Sequence, residues 1–234
     1  MHDTARNVFL TGGTGYMGRR LVIRLLERGH RVRTLVRPGS EGKLPAGCTP
    51  VIANALDRTS YEHQVAGSDT FVQLVGVAHP SPAKAVEFRR IDLVAAREAV
   101  FAAKKADIRH FVYVSVAHPA PVMKTYIEVR MECEGMIRDS GLPATILRPW
   151  YVLGPGHRWP YALIPAYWLL EKIPATRPGA QRLGLVTLDQ MVAALLYAVE
   201  NPSGDVRILD VPKIRASSDE IASLSGVGCP KSLV

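Results

Sequence analysis

Three glycines near the amino terminus have a spacing that could bind phosphate groups. Gly12, Gly15 and Gly18 directly follow a short apolar run and open a stretch with helical periodicity. In such a context the first glycine permits a tight turn, the second lets the backbone approach a pyrophosphate, and the third lets the helix pack on the strand. Free N–H groups and the helix dipole would hold the phosphates. The sequence therefore predicts a dinucleotide site with the loop residues Thr11, Gly12, Gly13, Thr14, Gly15, Tyr16, Met17 and Gly18.

A basic residue stands where dinucleotide-binding proteins distinguish NAD from NADP. Arg37 ends the second apolar run, where an NAD-selecting enzyme usually carries Asp or Glu for the ribose hydroxyls. A guanidinium there can bind a 2′-phosphate through two parallel hydrogen bonds. We predict NADP(H) as the cofactor, with NAD and a solvated surface arginine as the alternatives. Arg19, Arg33 and Lys43 are candidates for further phosphate contacts.

The glycine loop lies in a regular alternation of strand-like and helical patterns. The predicted strands are Asn7–Thr11, Arg31–Val36, Thr49–Ala53, Thr70–Val75, His110–Val116, Thr145–Leu147 and Val206–Leu209. The predicted helices run from Met17 to a stop at Gly29, from Asp57 to Ala66, from Lys84 to Lys105 and from Lys124 to Ser140. Strands that alternate with helices indicate βαβ units and a parallel sheet. We predict an α/β fold: a doubly wound parallel sheet of the Rossmann type with helices on both faces.

The stretch from Trp150 to Gly184 interrupts this alternation because it is rich in proline and aromatic residues. We predict that it caps the carboxyl edge of the sheet and supplies an aromatic wall to a small, apolar substrate. The predicted organisation is a dinucleotide-binding domain at 1–149, a substrate-capping region with return segments to the core at 150–215, and a loosely held tail at 216–234. The aromatic wall comprises Trp150, Tyr151, Trp159, Tyr161, Tyr167 and Trp168.

Composition narrows the classes of partner and location. The net charge of the 234-residue chain is +8, but its basic residues are scattered and are not interleaved with aromatics, so we predict no nucleic-acid partner. The three cysteines, Cys48, Cys133 and Cys229, lack metal-ligand spacing, and we predict reduced thiols and no metal. The amino terminus lacks a signal-peptide pattern, and no apolar run approaches the ~18 residues of a membrane span. We therefore expect a cytoplasmic protein.

The spacing G-x-x-G-x-x-G resembles the short-chain dehydrogenase/reductase superfamily, in particular its extended and atypical branches. These include the NmrA-like and the NAD-dependent epimerase/dehydratase-like proteins. The likeness extends over most of the chain. Its segments are RVRTLVRP at 31–38, FVYVSV at 111–116, YIEVR at 126–130, GLPATILRPWYVLGPG at 141–156 and RLGLVTLDQMVAAL at 182–195.

The resemblance implies where proton transfer would occur. Reductases of this superfamily use Tyr-x-x-x-Lys on a helix, where the lysine binds the nicotinamide ribose and lowers the tyrosine pKa. Tyr126 is present here, but Arg130 stands in place of the lysine. The hydroxyl residue that orients the substrate falls at Ser115 or at the next position, Val116, which has no hydroxyl. The predicted catalytic residues are Tyr126, Arg130 and Ser115.

The same resemblance implies cofactor contacts outside the glycine loop. Asn54 stands where many relatives place the Asp that binds adenine, and Ala55 follows it. Val75 ends the fourth predicted strand, Gly76 follows it, and Arg130 would approach the nicotinamide ribose. These five residues complete the predicted cofactor site.

Four further polar residues have two interpretations each. His79 and His118 precede prolines at the ends of strands four and five, and either could replace a missing acid or have a structural or solvent role. Asp92 matches a common Asn/Asp position of the superfamily, where we expect structural hydrogen bonds, with a part in the chemistry as the alternative. Arg148 follows strand six and could face the cofactor or the substrate, or neither.

These features leave competing functions. The first is an NADP(H)-dependent oxidoreductase or epimerase that acts on a small carbonyl or hydroxy compound. The second is a non-catalytic dinucleotide-binding redox sensor or assembly factor of the NmrA-like type. The third adds peripheral membrane contact through Tyr161 to Ile173 and a quinone-like substrate. The sequence leaves the oligomeric state open.

Overall fold

The computed structural model describes residues 5–120, 122–155, 179 and 182–224. Seven parallel strands form one sheet. They are β1 (Asn7–Thr11), β2 (Arg31–Val36), β3 (Thr49–Ile52), β4 (Thr70–Gln73), β5 (His110–Val114), β6 (Ala144–Leu147) and β9 (Val206–Leu209). Their order in the sheet is β3-β2-β1-β4-β5-β6-β9. The strand order reverses between β1 and β4, the point at which open α/β sheets bind ligands. β7 (Tyr151–Leu153) and β8 (Leu185–Thr187) form a separate parallel pair.

Helices cover both faces of the large sheet. They are α1 (Gly18–Glu27), α2 (Glu62–Val65), α3 (Ala85–Glu87), α4 (Val94–Lys105), α5 (Lys124–Asp139), α6 (Leu188–Glu200) and α7 (Val211–Leu224). One face of the sheet packs on α4 and α5, and the other packs on α1, α6 and α7. A π-helical turn, Phe88–Leu93, joins α3 to α4. The predicted doubly wound α/β fold is confirmed.

Several predicted elements differ in detail. The helix predicted from Asp57 is a 3₁₀ turn followed by the four residues of α2, although Asp57 caps the turn through a hydrogen bond from the Thr59 N–H. β5 ends at Val114, yet Ser115 still donates its N–H to the Leu147 carbonyl. The short strands β7 and β8 were not predicted, because three residues are too few for alternation to be recognised.

The interpretation of 216–234 as a loosely held tail is wrong for 216–224. α7 continues through these residues, and Ser217 and Ile221 are buried against α6 and the sheet. The small residues there indicated a loose segment, whereas Ile214, Ser217 and Ile221 recur at helical spacing and form the buried face. Residues 225–234 lie outside the described part of the chain.

Acid should destabilise this fold through His110 in β5. The imidazole is 1% exposed, with Nε2 2.9 Å from Thr145 Oγ1. Burial, aided by the positive charges of Arg207 and Arg6, lowers its pKa to about 3. As pH falls below about 6.5, the unfolded chain therefore takes up a proton on His110 before the folded chain does. The contribution of neutral His110 to the free energy of unfolding is lost between pH 6.5 and pH 3.

The expected loss is about 3 kcal/mol of unfolding free energy between pH 7 and pH 4. Urea unfolding at several pH values would measure it. His110→Gln should show a shallower decline with pH than wild type, whereas His63→Gln, which changes an exposed histidine, should not. Equal slopes for His110→Gln and wild type would contradict this assignment.

Candidate cofactor and active site

A cleft of about 490 Å³ opens where the chain leaves the carboxyl ends of β1, β4 and β5. The glycine loop forms one wall, and the start of α5 forms another. Val77, Val114, Val116, Met123 and Trp150 make much of the lining apolar. Among the described lining residues, Arg130 alone carries a permanent charge. The cleft therefore suits a ligand with a phosphate-bearing end at the glycines and an uncharged end near α5.

Three glycines of the loop lie so close to neighbouring atoms that a side chain at any of these positions would collide with them. Gly12 has a φ of +79°, and a Cβ there would lie 3.0 Å from the carbonyl carbon of Leu74. A Cβ on Gly18 would overlap the Gly12 carbonyl oxygen, and one on Gly13 would overlap Thr34 in β2. Gly15 differs, because it is exposed and lines the cleft. Gly12, Gly13 and Gly18 thus bring the loop close to the sheet, and Gly15 leaves room for a ligand.

The start of α1 fits a bound anion. Met17 at the N-cap provides no side-chain hydrogen bond, and the first turn contains no acidic residue. Most helices fill this position with an Asp, Ser or Thr side chain. The first N–H groups of α1 therefore receive no hydrogen bond from a capping side chain. Together with the open cleft at Gly15, they fit the pyrophosphate of a dinucleotide. Thr11 stands behind the loop, where its buried hydroxyl contacts Gln73.

The predicted adenosine-binding residues lie at the carboxyl ends of β2 and β3. Arg37 follows β2 directly; its side chain is exposed and pairs with no other described residue. Arg33 was a candidate phosphate contact, and this is wrong: its guanidinium donates to the Ala66 carbonyl and to Ser68 Oγ, both at 2.7 Å. Asn54 is exposed, and its Oδ1 accepts the Leu56 N–H, so its side-chain amide N–H groups stay available.

Tyr126 and Arg130 both reach the cleft from α5. The half-buried Tyr126 makes no hydrogen bond through its hydroxyl with the described residues, which leaves it available to a ligand. Arg130 is 7% exposed, and its Nη2 lies 2.5 Å from Asp92 Oδ1. Its Nη1 donates to the Val114 carbonyl at 2.9 Å and to Tyr113 Oη at 3.0 Å. Arg130 is thus hydrogen-bonded to the floor of the cleft.

Ser115 lies beside a second charged group at the end of β5. Burial would raise the pKa of Glu134, but the hydrogen bonds and the positive charge of Arg148 outweigh burial and lower it. Arg148 Nε donates to Glu134 Oε1 at 2.9 Å, so Arg148 is paired with a carboxylate. His118 Nε2 is 3.5 Å from Glu134 Oε1, and burial and Arg148 lower the histidine pKa.

The structure brings part of the predicted site together in one cleft. The predicted residues that line it are Gly12, Gly15, Tyr16, Met17, Gly18, Gly76, Ser115, Tyr126 and Arg130. The predicted residues outside its lining are Thr11, Gly13, Thr14, Arg37, Asn54, Ala55 and Val75. Of the two histidines, His79 lines this cleft and His118 lines a neighbouring cavity of about 340 Å³.

Sequence reasoning missed Glu134, whose carboxylate organises the end of β5. The available signal was its position four residues after Arg130, on the same helix face as Tyr126.

Trp150 and Tyr151 of the predicted aromatic wall line the cleft, with their ring centroids 5.9 Å apart. Trp159, Tyr161, Tyr167, Trp168 and the predicted membrane contact at 161–173 lie outside the described residues. Within the described residues, no helix has the length and apolar character of a membrane span.

Comparison with known proteins also indicates a dinucleotide-binding protein. The sequence profile of the NAD(P)H-binding family matches residues 12–159. Ceramide reductase of Caulobacter vibrioides is 32% identical over 89% of this chain and 66% of its own length. A 4-hydroxy-2-methyl-3-oxo-4-farnesyl-3,4-dihydroquinoline-1-oxide ketoreductase of Stigmatella aurantiaca is 27% identical over 62% of this chain and 50% of its own length. The chain thus spans about half to two thirds of the length of these relatives.

The solved structure of the Bordetella bronchiseptica enzyme WbmH with NAD⁺ shares the fold. It superposes with a TM-score of 0.67 at 20% identity and covers 98% of this chain and 84% of that one. This chain is an atypical member of the short-chain dehydrogenase/reductase superfamily. It belongs to the NAD(P)H-binding family, which confirms the resemblance and the prediction of a dinucleotide-binding protein.

Proposed function

We propose that this chain is an NADP(H)-dependent oxidoreductase that reduces an apolar carbonyl compound. The observation that carries the proposal is the Tyr126 hydroxyl, which makes no hydrogen bond with the described residues and lines a mostly apolar cleft whose other wall is the glycine loop. Bound NADPH supplies a hydride, with its two electrons, for the carbonyl carbon. Tyr126 gives its proton to the carbonyl oxygen, and the alcohol leaves with NADP⁺ as co-product. Tyr126 then regains a proton from solvent.

The lining of the cleft supports the choice of substrate. A phosphate- or carboxylate-bearing substrate would need a free cation near Tyr126, but the nearby Arg130 is already paired with Asp92. Valines, Met123 and Trp150 instead offer apolar contacts. Ser115 adds one hydroxyl that can orient the carbonyl oxygen. One relative is named for ceramide and another for a farnesyl-bearing ketone, in keeping with an apolar substrate.

The test is turnover with a panel of carbonyl compounds. A long-chain keto lipid, a farnesylated cyclic ketone and UDP-galactose would be mixed with NADPH deuterated at the transferred position of C4. We expect an apolar ketone to consume NADPH and to give an alcohol that contains deuterium. Turnover of UDP-galactose alone, or an alcohol without deuterium, would contradict the proposal.

The preference for NADP(H) depends on Arg37. Its exposed guanidinium follows β2 at the same edge as the glycine loop, and Gly13 packs on β2 through Thr34. Loss of one charged hydrogen bond to the 2′-phosphate should cost about 1.5–3 kcal/mol. Arg37→Ala should therefore weaken NADPH binding about tenfold to a hundredfold and leave NADH binding nearly unchanged.

Titration of both cofactors, followed by fluorescence, measures the effect. Arg33→Ala is the matched control, because Arg33 lies on β2, which Arg37 directly follows, but is hydrogen-bonded to Ala66 and Ser68. It should leave the ratio of the two affinities unchanged. Equal weakening of NADPH and NADH in Arg37→Ala, or tighter binding of NADH by wild type, would favour NAD as the cofactor.

A non-catalytic redox sensor is the second candidate, and one observation favours it. The two terminal nitrogens of Arg130 are hydrogen-bonded to Asp92, Tyr113 and Val114, whereas a reductase lysine would extend to the nicotinamide ribose. A sensor would bind NADP(H) tightly and release no product with any carbonyl. Single-turnover mixing of the NADPH complex with the panel separates the two functions, because only the enzyme oxidises its bound cofactor.

A further inference from the structure

One wall of the cleft comes from the segment that forms β7. Trp150, Tyr151 and Val152 line the cleft together with Tyr16 of the glycine loop. β7 is three residues long, and it pairs with β8 and lies outside the seven-stranded sheet. The hydrogen bonds of the large sheet therefore do not fix the distance between this wall and the glycine loop. A contact outside the sheet must set the width of the cleft here.

Tyr16 supplies such a contact at Gly154, the residue that follows β7. A Cβ on Gly154 would overlap Tyr16 Oη and would lie 3.2 Å from Cζ of the same ring. It would also lie 3.1 Å from Leu188 Cβ at the start of α6. Gly154 is buried, and its φ lies outside the left-handed region, so its backbone does not itself require glycine. The lack of a side chain at this position thus makes room for the Tyr16 hydroxyl.

The Tyr16 ring is held in place on the side of α1. Arg20 Nη1 donates to the Tyr16 carbonyl at 3.1 Å, and the guanidinium carbon lies 5.3 Å from the ring centroid, within the range of a cation–π contact. The backbone of the loop has little room to shift, because Gly12, Gly13 and Gly18 pack closely on neighbouring atoms. When the contact at β7 is altered, we therefore expect the short strand to move and the loop to stay.

We propose that Tyr16 is a positioning residue for the substrate wall: its ring sets the distance between the glycine loop and Trp150 and Tyr151. The inference rests on the proposed function, in which an apolar ketone packs on this wall while its carbonyl faces Tyr126. Tyr16 then serves both ligands. Its main chain belongs to the loop assigned to the pyrophosphate, and its side chain supports the wall assigned to the ketone.

Gly154→Ala tests the proposal by adding a single methyl group. The new Cβ competes with the Tyr16 hydroxyl for the same space, and Leu188 prevents a retreat to the other side, so the wall shifts relative to Tyr126. We expect the KM for the best ketone of the panel to rise about tenfold, because the fit of its apolar part is changed. The reacting groups and the glycine loop are spared, so kcat and NADPH affinity should each change less than about threefold.

A Tyr16→Phe background separates this contact from a general loss of structure. Without the hydroxyl, the nearest neighbours of the added methyl group lie at 3.1 and 3.2 Å, which small shifts can relieve. Gly154→Ala should then raise KM by less than about twofold. If Gly154→Ala merely weakened the fold, it would raise KM by the same factor in both backgrounds, and that result would overturn the proposal.

Gly204→Ala is the matched control. Gly204 is exposed, and a Cβ there would meet no atom within 4 Å, so this substitution should leave KM as in wild type. An unchanged KM in Gly154→Ala, like that of the control, would also overturn the proposal.

A spectroscopic readout does not depend on turnover. Protein labelled with 5-fluorotryptophan gives a ¹⁹F resonance for Trp150, which Trp150→Phe identifies by its loss. Gly154→Ala should shift this resonance in the wild-type background and hardly at all in the Tyr16→Phe background, and Gly204→Ala should leave it in place. Tyr16→Leu adds no bulk and no longer reaches Gly154, so it should shift the resonance even if Gly154→Ala does not fold.

The outcomes of this readout are distinct. A Trp150 resonance at its wild-type position in folded Gly154→Ala or folded Tyr16→Leu would overturn the positioning role. A shifted resonance in a protein that reduces no carbonyl would refute the proposed function and leave the support of this wall by Tyr16 established.

Discussion

Gly15→Val is expected to abolish measurable NADP(H) binding. A Cβ at this position already lies 3.1 Å from the Gly12 carbonyl oxygen, which is closer than most side chains tolerate. The two methyl groups beyond it would enter the part of the cleft that we assign to the pyrophosphate. Calorimetric titration of NADPH into the purified variant measures the loss, and thermal unfolding shows whether the fold survives.

Gly42→Val serves as the control for this substitution. Gly42 is exposed, and a Cβ there would meet no atom within 4 Å. We expect it to bind NADPH as wild type does. If Gly15→Val is folded and also binds like wild type, the pyrophosphate does not occupy the glycine loop.

Tyr126→Phe is expected to lower kcat by about 100-fold or more, the usual scale for loss of a general acid. NADPH affinity should change little, because the ring and its contacts with Phe88 and Arg130 are retained. Steady-state kinetics with the best ketone of the panel, together with a separate NADPH titration, would measure both quantities. Tyr197→Phe, a hydroxyl deletion on α6, should retain wild-type turnover.

Turnover of Tyr126→Phe at the wild-type rate would assign the proton to another group. His79 would then be the first candidate, because it lines the same cleft. His118 is less suited, because it lines the neighbouring cavity next to Glu134.

The features predicted well from the sequence are those that local residue patterns determine. Glycine spacing specifies a loop between a strand and a helix, and the apolar run of β5 specifies a buried parallel strand. Capping by Asp57 was also predicted, since an N-cap depends on neighbouring residues. The order of elements followed from these patterns, and the doubly wound sheet followed from that order.

The features that were missed depend on contacts between distant segments. Arg33 was grouped with the phosphate contacts because it is basic, but its partners Ala66 and Ser68 lie more than thirty residues away. The pairing of Glu134 with Arg148 requires α5 to lie over the end of β6, which no pattern in either segment specifies. The engagement of Arg130 by Asp92 likewise depends on how α5 packs on the π-helical turn.

The pairing of β7 with β8 has a consequence for how such proteins can diversify. Tyr151 pairs with Leu185 and Leu153 with Thr187, so the chain departs from the core and rejoins it at two adjacent points. β9, α6 and α7 all follow that return and contribute to the same sheet and its covering layer. An intervening segment of any length could be exchanged between these points without a change in the register of the large sheet. A new substrate specificity can then arise by exchange of this segment, while the nucleotide-binding sheet stays the same.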